Sequence, residues 1–259
     1  MTHHHPRSLR RVLFGTVSAL ALLATVAMSQ PASANTGSTV RSGDDIGIQT
    51  LLPGIDVSHW QGSINWTSVR NAGIRFAYIK ATEGTSYKDP NFNTYYPAAY
   101  YAGVIRGAYH FARPSYSGGA TQASYFFNNG GRWSADHRTL PGALDLEGSC
   151  AGLSQSAMRT WIYDFWARYK ALSTRDVVIY TTASWWSTCT GGWTAQAARS
   201  PLWVAHWGVS SPTKPAGWSF YTFWQYTNCR SVSGISGCVD GDYFNGDSSR
   251  LLALADNTP

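Results

Sequence analysis

From Pro53 onward, short runs of β-branched and aromatic residues alternate with stretches of helical periodicity. Glycine, proline and asparagine residues separate the two kinds of segment. Five strand-then-helix units are predicted, and their strands are GIDVSHW, IRFAYIKATEG, VIRGAYHFARP, LPGALDLEG and VVIYTT. Strands that alternate with helices form parallel sheets through right-handed crossovers, with the helices packed outside. The pattern therefore favours an α/β fold with a parallel, barrel-like sheet.

The spacing changes after the fifth unit. PLWVAHW, YTFWQYT and VDGDYF are predicted strands joined mainly by loops, and SSRLLALAD is a predicted last helix. We therefore expect a barrel that is completed without its full ring of helices. The clearest amphipathic helix is SQSAMRTWIYDFWARYKALS, after the fourth strand. Its predicted apolar face comprises Met158, Trp161, Ile162, Phe165 and Tyr169. In the first helix, INWTSVRNAG, Asn65 is the predicted N-cap and Gly73 the stop.

Residues 1–34 have the features of a secretory signal peptide. Arginines precede the apolar run VLFGTVSALALLATVAM, and the small residues ASA at 32–34 form a cleavage site. We expect cleavage after Ala34 and a secreted, extracellular protein that does not associate with a membrane. The alternative is a retained membrane anchor, which the good cleavage site disfavours. Residues 35–52 are predicted to form a linker or N-terminal arm, and residues 53–259 a single domain.

Charge and composition narrow the choice of partners. Removal of residues 1–34 would take away three of the 20 basic residues and none of the 14 acidic ones, which leaves a small positive charge. A dedicated nucleic-acid-binding protein would show clustered lysine and arginine, so we expect no nucleic-acid partner. A mild positive charge instead suits an anionic extracellular polymer such as a cell wall. The 12 Trp and 15 Tyr residues favour a folded domain with an aromatic-lined surface.

The four cysteines fit an oxidising compartment and allow three disulfide pairings. Cys229 and Cys238 enclose the glycine- and serine-rich loop RSVSGISG and most simply close it, which leaves Cys150 to pair with Cys189. A cysteine metal site is disfavoured because no C-x-x-C pair occurs and the spacings are irregular. We expect no metal.

The fourth predicted strand carries two acids, Asp145 and Glu147, in the run ALDLEG. Side chains two residues apart on a strand point the same way, with a rise of about 6.5 to 7 Å between them. Two carboxylates held that close on an apolar strand repel each other and lose water, so one pKa should rise enough to keep a proton near neutral pH. A protonated acid beside a second carboxylate suits glycoside hydrolysis. The alternatives are a solvent-facing pair on an edge strand and a metal-binding pair.

Further acids lie near the ends of other predicted strands, where barrel enzymes place their catalytic groups. They are Asp56, Glu83 and Asp240. The aromatic residues favour a sugar ligand, because pyranose rings present apolar C–H faces that stack on Trp and Tyr. Candidates near strand ends are Tyr78, Tyr109, Phe111, Tyr180, Trp207 and Trp224. For each of these side chains, core packing is an equally good interpretation.

Several motifs occur in a fixed order from Gly54 to Asn245: GIDVSHWQG, FAYIKATEG, GAYHF, ALDLE, VIYTT, LWVAHW, FWQYT and VDGDYF. In these motifs the chain closely resembles glycoside hydrolase family 25, the Chalaropsis-type bacterial and fungal lysozymes. The resemblance implies a modified TIM-like barrel of five β/α units closed by three strands. It also implies a monomer without a cofactor that cleaves β-1,4 bonds between N-acetylmuramic acid and N-acetylglucosamine in peptidoglycan.

The resemblance further implies roles for individual residues. Glu147 would be the general acid/base, and Asp145, Asp56 and Asp240 would complete a carboxylate cluster. The D-x-E motif resembles that of family 18 chitinases, in which the substrate's own acetamide group is the nucleophile. We therefore expect Asp145 to orient that group and the reaction to proceed with retention, with direct attack by an aspartate as the alternative.

Catalysis is accordingly predicted for Asp56, Asp145 and Glu147. The residues predicted to bind substrate are Asp240, Tyr78, Glu83, Tyr109, Phe111, Tyr180, Trp207 and Gln225. Two other functions stay open at this point, namely a chitinase-like hydrolase and a wall-binding module without catalytic activity.

Overall fold

A nine-stranded sheet that closes on itself organises residues 51–258, which are the residues that the computed structural model describes. The strands are β1 (Leu51–Val57), β2 (Phe76–Glu83), β3 (Tyr87–Lys88), β4 (Ile105–Phe111), β5 (Ala143–Asp145), β6 (Val178–Thr181), β7 (Leu202–Ala205), β8 (Phe223–Arg230) and β9 (Val239–Asn245). The helices are α1 (Trp66–Asn71), α2 (Phe92–Tyr101), α3 (Gly119–Asn128), α4 (Gln155–Ser173), α5 (Ala183–Thr190) and α6 (Ser248–Asp256). The predicted signal peptide and residues 35–50 of the predicted arm lie outside this range.

The strand order shows how the barrel closes. Neighbouring strands are parallel from β1 through β2, β4, β5, β6 and β7 to β8, and β9 is antiparallel to both β8 and β1. The short strand β3 pairs with β2 alone and stays outside the ring. Helices follow the first five strands of the ring, whereas β7, β8 and β9 follow one another without a helix. The predicted modified TIM-like barrel of five β/α units closed by three strands is confirmed.

Side chains of the barrel strands point alternately into the barrel and out towards the helices. On β2, Ala77 and Ile79 belong to the core beneath the helices, whereas Phe76 and Tyr78 belong to a separate inner core. The aromatic members of that inner core are Phe76, Tyr78, Tyr180, Trp203, Phe223 and Phe244. Their rings meet across the interior, with Tyr78 stacked on Trp203 at 4.7 Å between ring centres. The barrel is therefore filled by aromatic side chains.

Glycines make room for these rings. A Cβ atom on Gly107 would lie 2.3 Å from the Tyr78 ring, and one on Gly54 would lie 2.3 Å from the Phe76 ring. Any side chain at either position would collide with a core ring, so these inward-facing positions require glycine. The inward-facing polar side chains are found instead at the carboxyl ends of the parallel strands.

The predicted helix signals are largely confirmed. The Asn65 side chain caps α1 by accepting a hydrogen bond from the Ser68 N–H at 3.0 Å. The five predicted apolar residues of α4 are all buried. The first strand differs from its prediction, because it ends at Val57 and not at Trp60. Ser58 and Gln61 form a capping box there and begin a 3-10 turn at His59–Gln61.

The structure also bears on the predicted domain start, the predicted disulfides and membrane-spanning helices. Strand β1 begins at Leu51, two residues before the predicted start of the domain at residue 53. Both predicted disulfides are present, Cys150–Cys189 and Cys229–Cys238. Within residues 51–258, no helix combines the length and the apolar character that crossing a membrane requires.

Candidate active site

A cavity of about 320 Å³ opens at the end of the barrel where the parallel strands finish. Its polar walls come from β1, β5, β8 and β9, and aromatic side chains of β4 and β6 complete them. We call it the acid cavity, after the four carboxyl groups of Asp56, Asp145, Glu147 and Asp240 that line it. The chain thus brings together acids that lie far apart in the sequence.

Asp145 and Glu147 leave the end of β5 on the same side, as the pleat of a strand requires. Asp145 is 7% exposed, and its Oδ1 atom has no hydrogen-bond partner among the described residues. Burial, together with the neighbouring Glu147 carboxylate, raises the pKa of Asp145 well above its ordinary value. Glu147 is more exposed, but partial desolvation of its carboxyl still raises its pKa, against the opposing influence of Lys80 and Arg113. Both acids therefore hold a proton more readily than free carboxyls do.

Gln225 connects three walls of the acid cavity. Its side chain is 2% exposed and donates from Nε2 to Asp56 Oδ2 at 2.7 Å. Its Oε1 atom accepts hydrogen bonds from Tyr180 Oη at 3.0 Å and from Trp207 Nε1 at 2.9 Å. Two donors on the oxygen fix the orientation of the amide, so its nitrogen must face Asp56. One buried glutamine thereby positions a carboxylate and two aromatic rings.

Strand β9 brings two more acids to the same end of the barrel. Because β9 runs antiparallel to β1, its first residues lie beside the last residues of β1, and Asp240 pairs in register with Asp56. Asp242, two residues further on, is completely buried and accepts a hydrogen bond from Trp203 Nε1 at 2.8 Å. Burial and the carboxylates of Asp242 and Asp240 raise the pKa of Asp56, and burial raises the pKa of Asp240 to about 6. Each of these three carboxyls therefore holds a proton more readily than a free carboxyl does.

Two cations balance the acids on the other side. Lys80 lines the acid cavity and donates to Glu83 Oε2 at 2.7 Å, and Arg113 Nε donates to Glu83 Oε1 at 2.7 Å. Although burial acts to raise it, these hydrogen bonds hold the pKa of Glu83 below its ordinary value. Both cations also lie over the Phe111 ring. Glu83 itself does not line the cavity, so it acts there through Lys80 and Arg113.

The remaining predicted substrate-binding residues fall into two groups. Those that line the acid cavity are Tyr109, Phe111, Tyr180, Trp207 and Gln225. Tyr78 lies deeper, fully buried in the inner core, where its hydroxyl donates to the Pro141 carbonyl. Trp224 lies outside the inner core, near the rings of Tyr226 and Tyr243, and donates to the His206 carbonyl. Neither Tyr78 nor Trp224 borders the cavity.

The sequence predictions miss several residues at or beside the acid cavity, among them Asp242, Lys80 and Trp60. Asp242 follows Asp240 by two positions, so the pleat argument used for Asp145 and Glu147 would have found it. Lys80 lies on β2 within FAYIKATEG, but no spacing in the sequence marks it as a cavity residue. Trp60 lines the rim of the acid cavity with 82% of its surface exposed, and the expectation of an unbroken strand through Trp60 hid this role.

A pair of carboxyls with raised pKa values, in a cavity that is lined by aromatic rings at the carboxyl end of a barrel, defines a glycoside hydrolase. Residues 55–235 match the family described as Glycosyl hydrolases family 25. The chain belongs to this family, which confirms the resemblance seen in its motifs.

Individual relatives show the same relationship. The chain is 63% identical over 225 residues to Lysozyme M1 of Streptomyces globisporus, covering 85% of this chain and 75% of that protein. It is 44% identical to the N,O-diacetylmuramidase of Chalaropsis sp, covering 75% of this chain and 96% of that protein. The crystal structure of the bacterial lysozyme from Streptomyces coelicolor superposes with a TM-score of 0.79 at 64% identity, covering 80% of this chain and 98% of that one.

Proposed function

We propose that the chain hydrolyses the β-1,4 bond between N-acetylmuramic acid and N-acetylglucosamine in peptidoglycan. The observation that carries this proposal is the Asp145–Glu147 pair, in which one acid is buried without a partner and the other lies at the opening of the cavity. Relatives at 63% and 44% identity are named as a lysozyme and a muramidase, which supports the same substrate.

In this proposal Glu147 is the general acid/base. Partial burial raises the pKa of its carboxyl, which therefore holds a proton more readily than a free glutamate does, and that proton goes to the glycosidic oxygen as the C1–O bond breaks. The electron pair of the broken bond stays on the leaving oxygen. Glu147 then takes a proton from the water that attacks C1, which returns the enzyme to its starting state.

Asp145 orients the acetamide of the substrate. Its buried Oδ1 atom lacks a protein donor, and a buried acceptor without a partner is unfavourable. An acetamide N–H would satisfy this oxygen and direct the acetamide carbonyl oxygen towards C1. That oxygen forms a bond to C1 as the leaving group departs, and water later displaces it, so the product retains the β configuration.

The remaining acids stabilise positive charge on the sugar. Asp56 is held in place by Gln225, and Asp240 lies beside it on β9. Negative and shared-proton carboxyls on one wall favour the cationic sugar ring that develops in the transition state. The aromatic rings of Tyr109, Phe111 and Tyr180 offer apolar surfaces to the same ring.

Digestion of purified peptidoglycan tests the proposal. Mass spectrometry of the soluble fragments should show new reducing ends on N-acetylmuramic acid, and chitin should be cleaved far more slowly. Preferential cleavage of chitin would favour the chitinase-like alternative, and binding without release of fragments would favour a wall-binding module. Proton NMR of the first-formed anomer tests retention separately, and an inverted product would exclude participation of the acetamide.

We further propose that the enzyme acts outside the cell as a monomer. Its two disulfides are suited to an oxidising compartment, and its predicted signal peptide would direct export. Detection of the protein, cleaved after Ala34, in culture medium would support export. Light scattering at micromolar concentration would test the monomer.

A further inference from the structure

Asp242 is a completely buried acid for which the mechanism proposed above has no role. It lies on β9, in register with Gly54 of β1 and with Gln225 of β8. Its side chain points into the barrel, where it contacts Trp203 of the inner core. It does not line the acid cavity, so it cannot touch a substrate that is bound there. Any effect of Asp242 on the reaction must therefore act through a neighbouring side chain.

The hydrogen bonds of Asp242 leave one of its oxygens without a donor. Its Oδ1 atom accepts from Trp203 Nε1 at 2.8 Å, whereas its Oδ2 atom accepts from no N–H or hydroxyl group of the described residues. The carboxyl of Asp242 is in hydrogen-bonding contact with the carboxyl of Asp56. Two ionised carboxylates can only accept hydrogen bonds, so this contact requires one of the two carboxyls to keep its proton. Without that proton, a buried acceptor would stay unsatisfied beside a second negative charge, which is unfavourable.

The carboxyl of Asp56 is also held from its other side. Gln225 Nε2 donates to Asp56 Oδ2 at 2.7 Å, and the two donors on Gln225 Oε1 prevent this amide from turning over. Asp56 lines the acid cavity. One carboxyl therefore connects the completely buried Asp242 with the space in which the sugar would react.

Other titratable groups surround this pair of acids. Asp240 also contacts the Asp56 carboxyl, but it is partly exposed at the acid cavity, where water can donate to it. Asp242 has no access to water, so its need for the proton is greater. Burial raises the pKa of Asp242, with Arg230 of β8 among the groups that act against it. The remaining titratable groups that face the pair are Tyr78 of β2, Tyr109 of β4, Tyr180 of β6, and Asp145 and Glu147 at the end of β5.

We propose that Asp242 is a positioning residue that shares one proton with Asp56, so that the pair carries a single negative charge at the reacting sugar. The effect on the reaction rests on the function proposed above, whereas the shared proton does not. The hydrogen bond from or to Asp242 keeps the Asp56 carboxyl from rotating. The single charge then stabilises the cationic sugar ring without the repulsion that two adjacent carboxylates would add.

Infrared difference spectra of the substrate-free enzyme test the shared proton. They are recorded at about pH 8, where Asp240, with its pKa of about 6, is ionised. Asp56→Asn and Asp242→Asn should each remove the absorption of one protonated carboxyl, because the new amide donates to the remaining acid and leaves it ionised. Asp240→Asn is the control and should remove the absorption of an ionised carboxylate. Loss of ionised-carboxylate absorption in Asp242→Asn, or a protonated band that persists in Asp56→Asn, would overturn the proposal.

Activity on peptidoglycan tests the positioning role. Asp242→Leu removes the hydrogen bond to Asp56, so it should lower kcat about tenfold and change KM less than about twofold. Asp242→Asn should restore most of that loss, because its N–H donates to Asp56 and its carbonyl accepts from Trp203 Nε1. Equal losses in the two variants would show that Asp242 acts through packing alone, which would overturn the role.

Two further outcomes are distinguishable. If Asp242→Leu does not fold, as judged by circular dichroism, the infrared spectra of the asparagine variants decide the proposal. If the proposed function itself were wrong, the unmodified enzyme would release no muramic-acid reducing ends from peptidoglycan, and the infrared result would be unaffected.

Discussion

Asp145 and Glu147 leave the same strand two residues apart but meet different surroundings. Asp145 is enclosed at the bottom of the acid cavity, whereas Glu147 is exposed at its opening. A general acid/base must exchange its proton with water in every cycle, which Glu147 can do and Asp145 cannot. The depth of each carboxyl is thus consistent with the two roles proposed for them.

Replacement of the acid gives the first prediction. Glu147→Gln should lower kcat at least about 100-fold, because general acid catalysis contributes roughly 10² to 10⁴. Binding to peptidoglycan should persist, since the amide keeps the shape of the side chain. Turbidity clearing and co-sedimentation with purified walls measure the two properties, with Asp164→Asn on the exposed face of α4 as the control. Retention of more than about a hundredth of the activity would argue against the assignment.

The ion network beside the acids gives the second prediction. Lys80 and Arg113 oppose the raised pKa of the Asp145–Glu147 pair, and the Glu83 carboxylate raises the pKa of Asp145. Glu83→Gln should therefore move the alkaline limb of the kcat–pH profile down by about half a unit. Lys80→Met should move the same limb up, because it removes a cation that favours the ionised pair.

Opposite shifts in these two variants are the deciding result. A purely structural role of the network would lower the activity of both variants without separating their pH profiles. The profiles are to be measured at saturating substrate, where the pair titrates as a unit.

The sequence predicts those site residues whose position depends only on which way a strand side chain points. The pleat rule places Asp145 and Glu147 on one side, and it would equally have placed Asp242 beside Asp240. The depth of a side chain along the barrel axis cannot be predicted in the same way. Tyr78 points inward as Lys80 does, but two residues deeper, and no local pattern distinguishes a residue in the core from one at the rim. That distinction depends on how far the aromatic rings of other strands fill the interior.

The 3-10 turn His59–Gln61 is short, but several hydrogen bonds hold it in place. The His59 N–H donates to Asp89 Oδ2 at 3.0 Å, and the ring Nδ1 lies 3.0 Å from the same oxygen. The capping box of Ser58 and Gln61 holds the other side of the turn. At its centre Trp60 presents an 82% exposed indole at the rim of the acid cavity. Such a fixed, exposed ring suits stacking against a sugar further along the glycan.

Truncation of this ring gives the third prediction. Trp60→Ala should raise KM on long glycan strands about three- to tenfold, because an aromatic contact contributes roughly 0.5 to 1.5 kcal/mol. Its kcat should stay within about twofold, since the proposed contact is with a sugar other than the one that reacts, and Trp60→Phe should fall between. Tyr101→Ala removes an equally exposed ring from α2 and is the control. An unchanged KM in Trp60→Ala would show that the Trp60 ring does not contribute to binding of the glycan.

Elements differ in how clearly their sequence marks them. Helix α4 has a long apolar face and a Ser154 cap, so periodicity alone places it. Helix α5 has Thr182 as its cap, but it is short and its adjacent tryptophans suit strands as well as helices. Strand β3 comprises two residues and forms only because β2 offers a free edge there. Tertiary contacts define such elements.

At the scale of the whole molecule, the buried acids reduce stability near neutral pH. The pKa of Asp240 is raised from 3.8 to about 6. A carboxyl with a raised pKa in the folded state imposes no penalty below its unfolded pKa, and the penalty grows as pH rises to the folded pKa. Above about pH 6 Asp240 is ionised in the folded barrel as well, and the full penalty then opposes folding.

The destabilising effect of the ionised Asp240 carboxylate gives the fourth prediction. Asp240→Asn should raise the free energy of unfolding at pH 7 by about 1 kcal/mol, after allowance for screening by solvent. The gain should shrink as the pH is lowered from 6 and disappear well below 3.8, where the wild-type carboxyl is protonated in both states. Urea unfolding at several pH values, with the disulfides intact, measures the difference. A gain that is independent of pH would show that the effect is not electrostatic.

The barrel as a whole follows from alternation of strands and helices, except for the direction of its last strand. Period-two patterning identifies VDGDYF as a strand. The pattern does not tell whether that strand runs parallel or antiparallel to its neighbours. The direction of β9 is set by the short connection after β8, because a tight return can join only antiparallel neighbours. This reversal brings Asp240 to the rim that holds Asp56.

The pairing of β1 with β9 also governs when folding can finish. Leu51 pairs with Asn245, so nearly the whole described chain separates two hydrogen-bonded neighbours. During synthesis, β1 has no partner on that side until residues 239–245 have left the ribosome, and Asp56 lacks the strand that carries Asp240 and Asp242. A nascent or truncated chain without β9 therefore has two open sheet edges and an incomplete acid cavity. The acid cavity is therefore complete only after residues 239–245 have been translated.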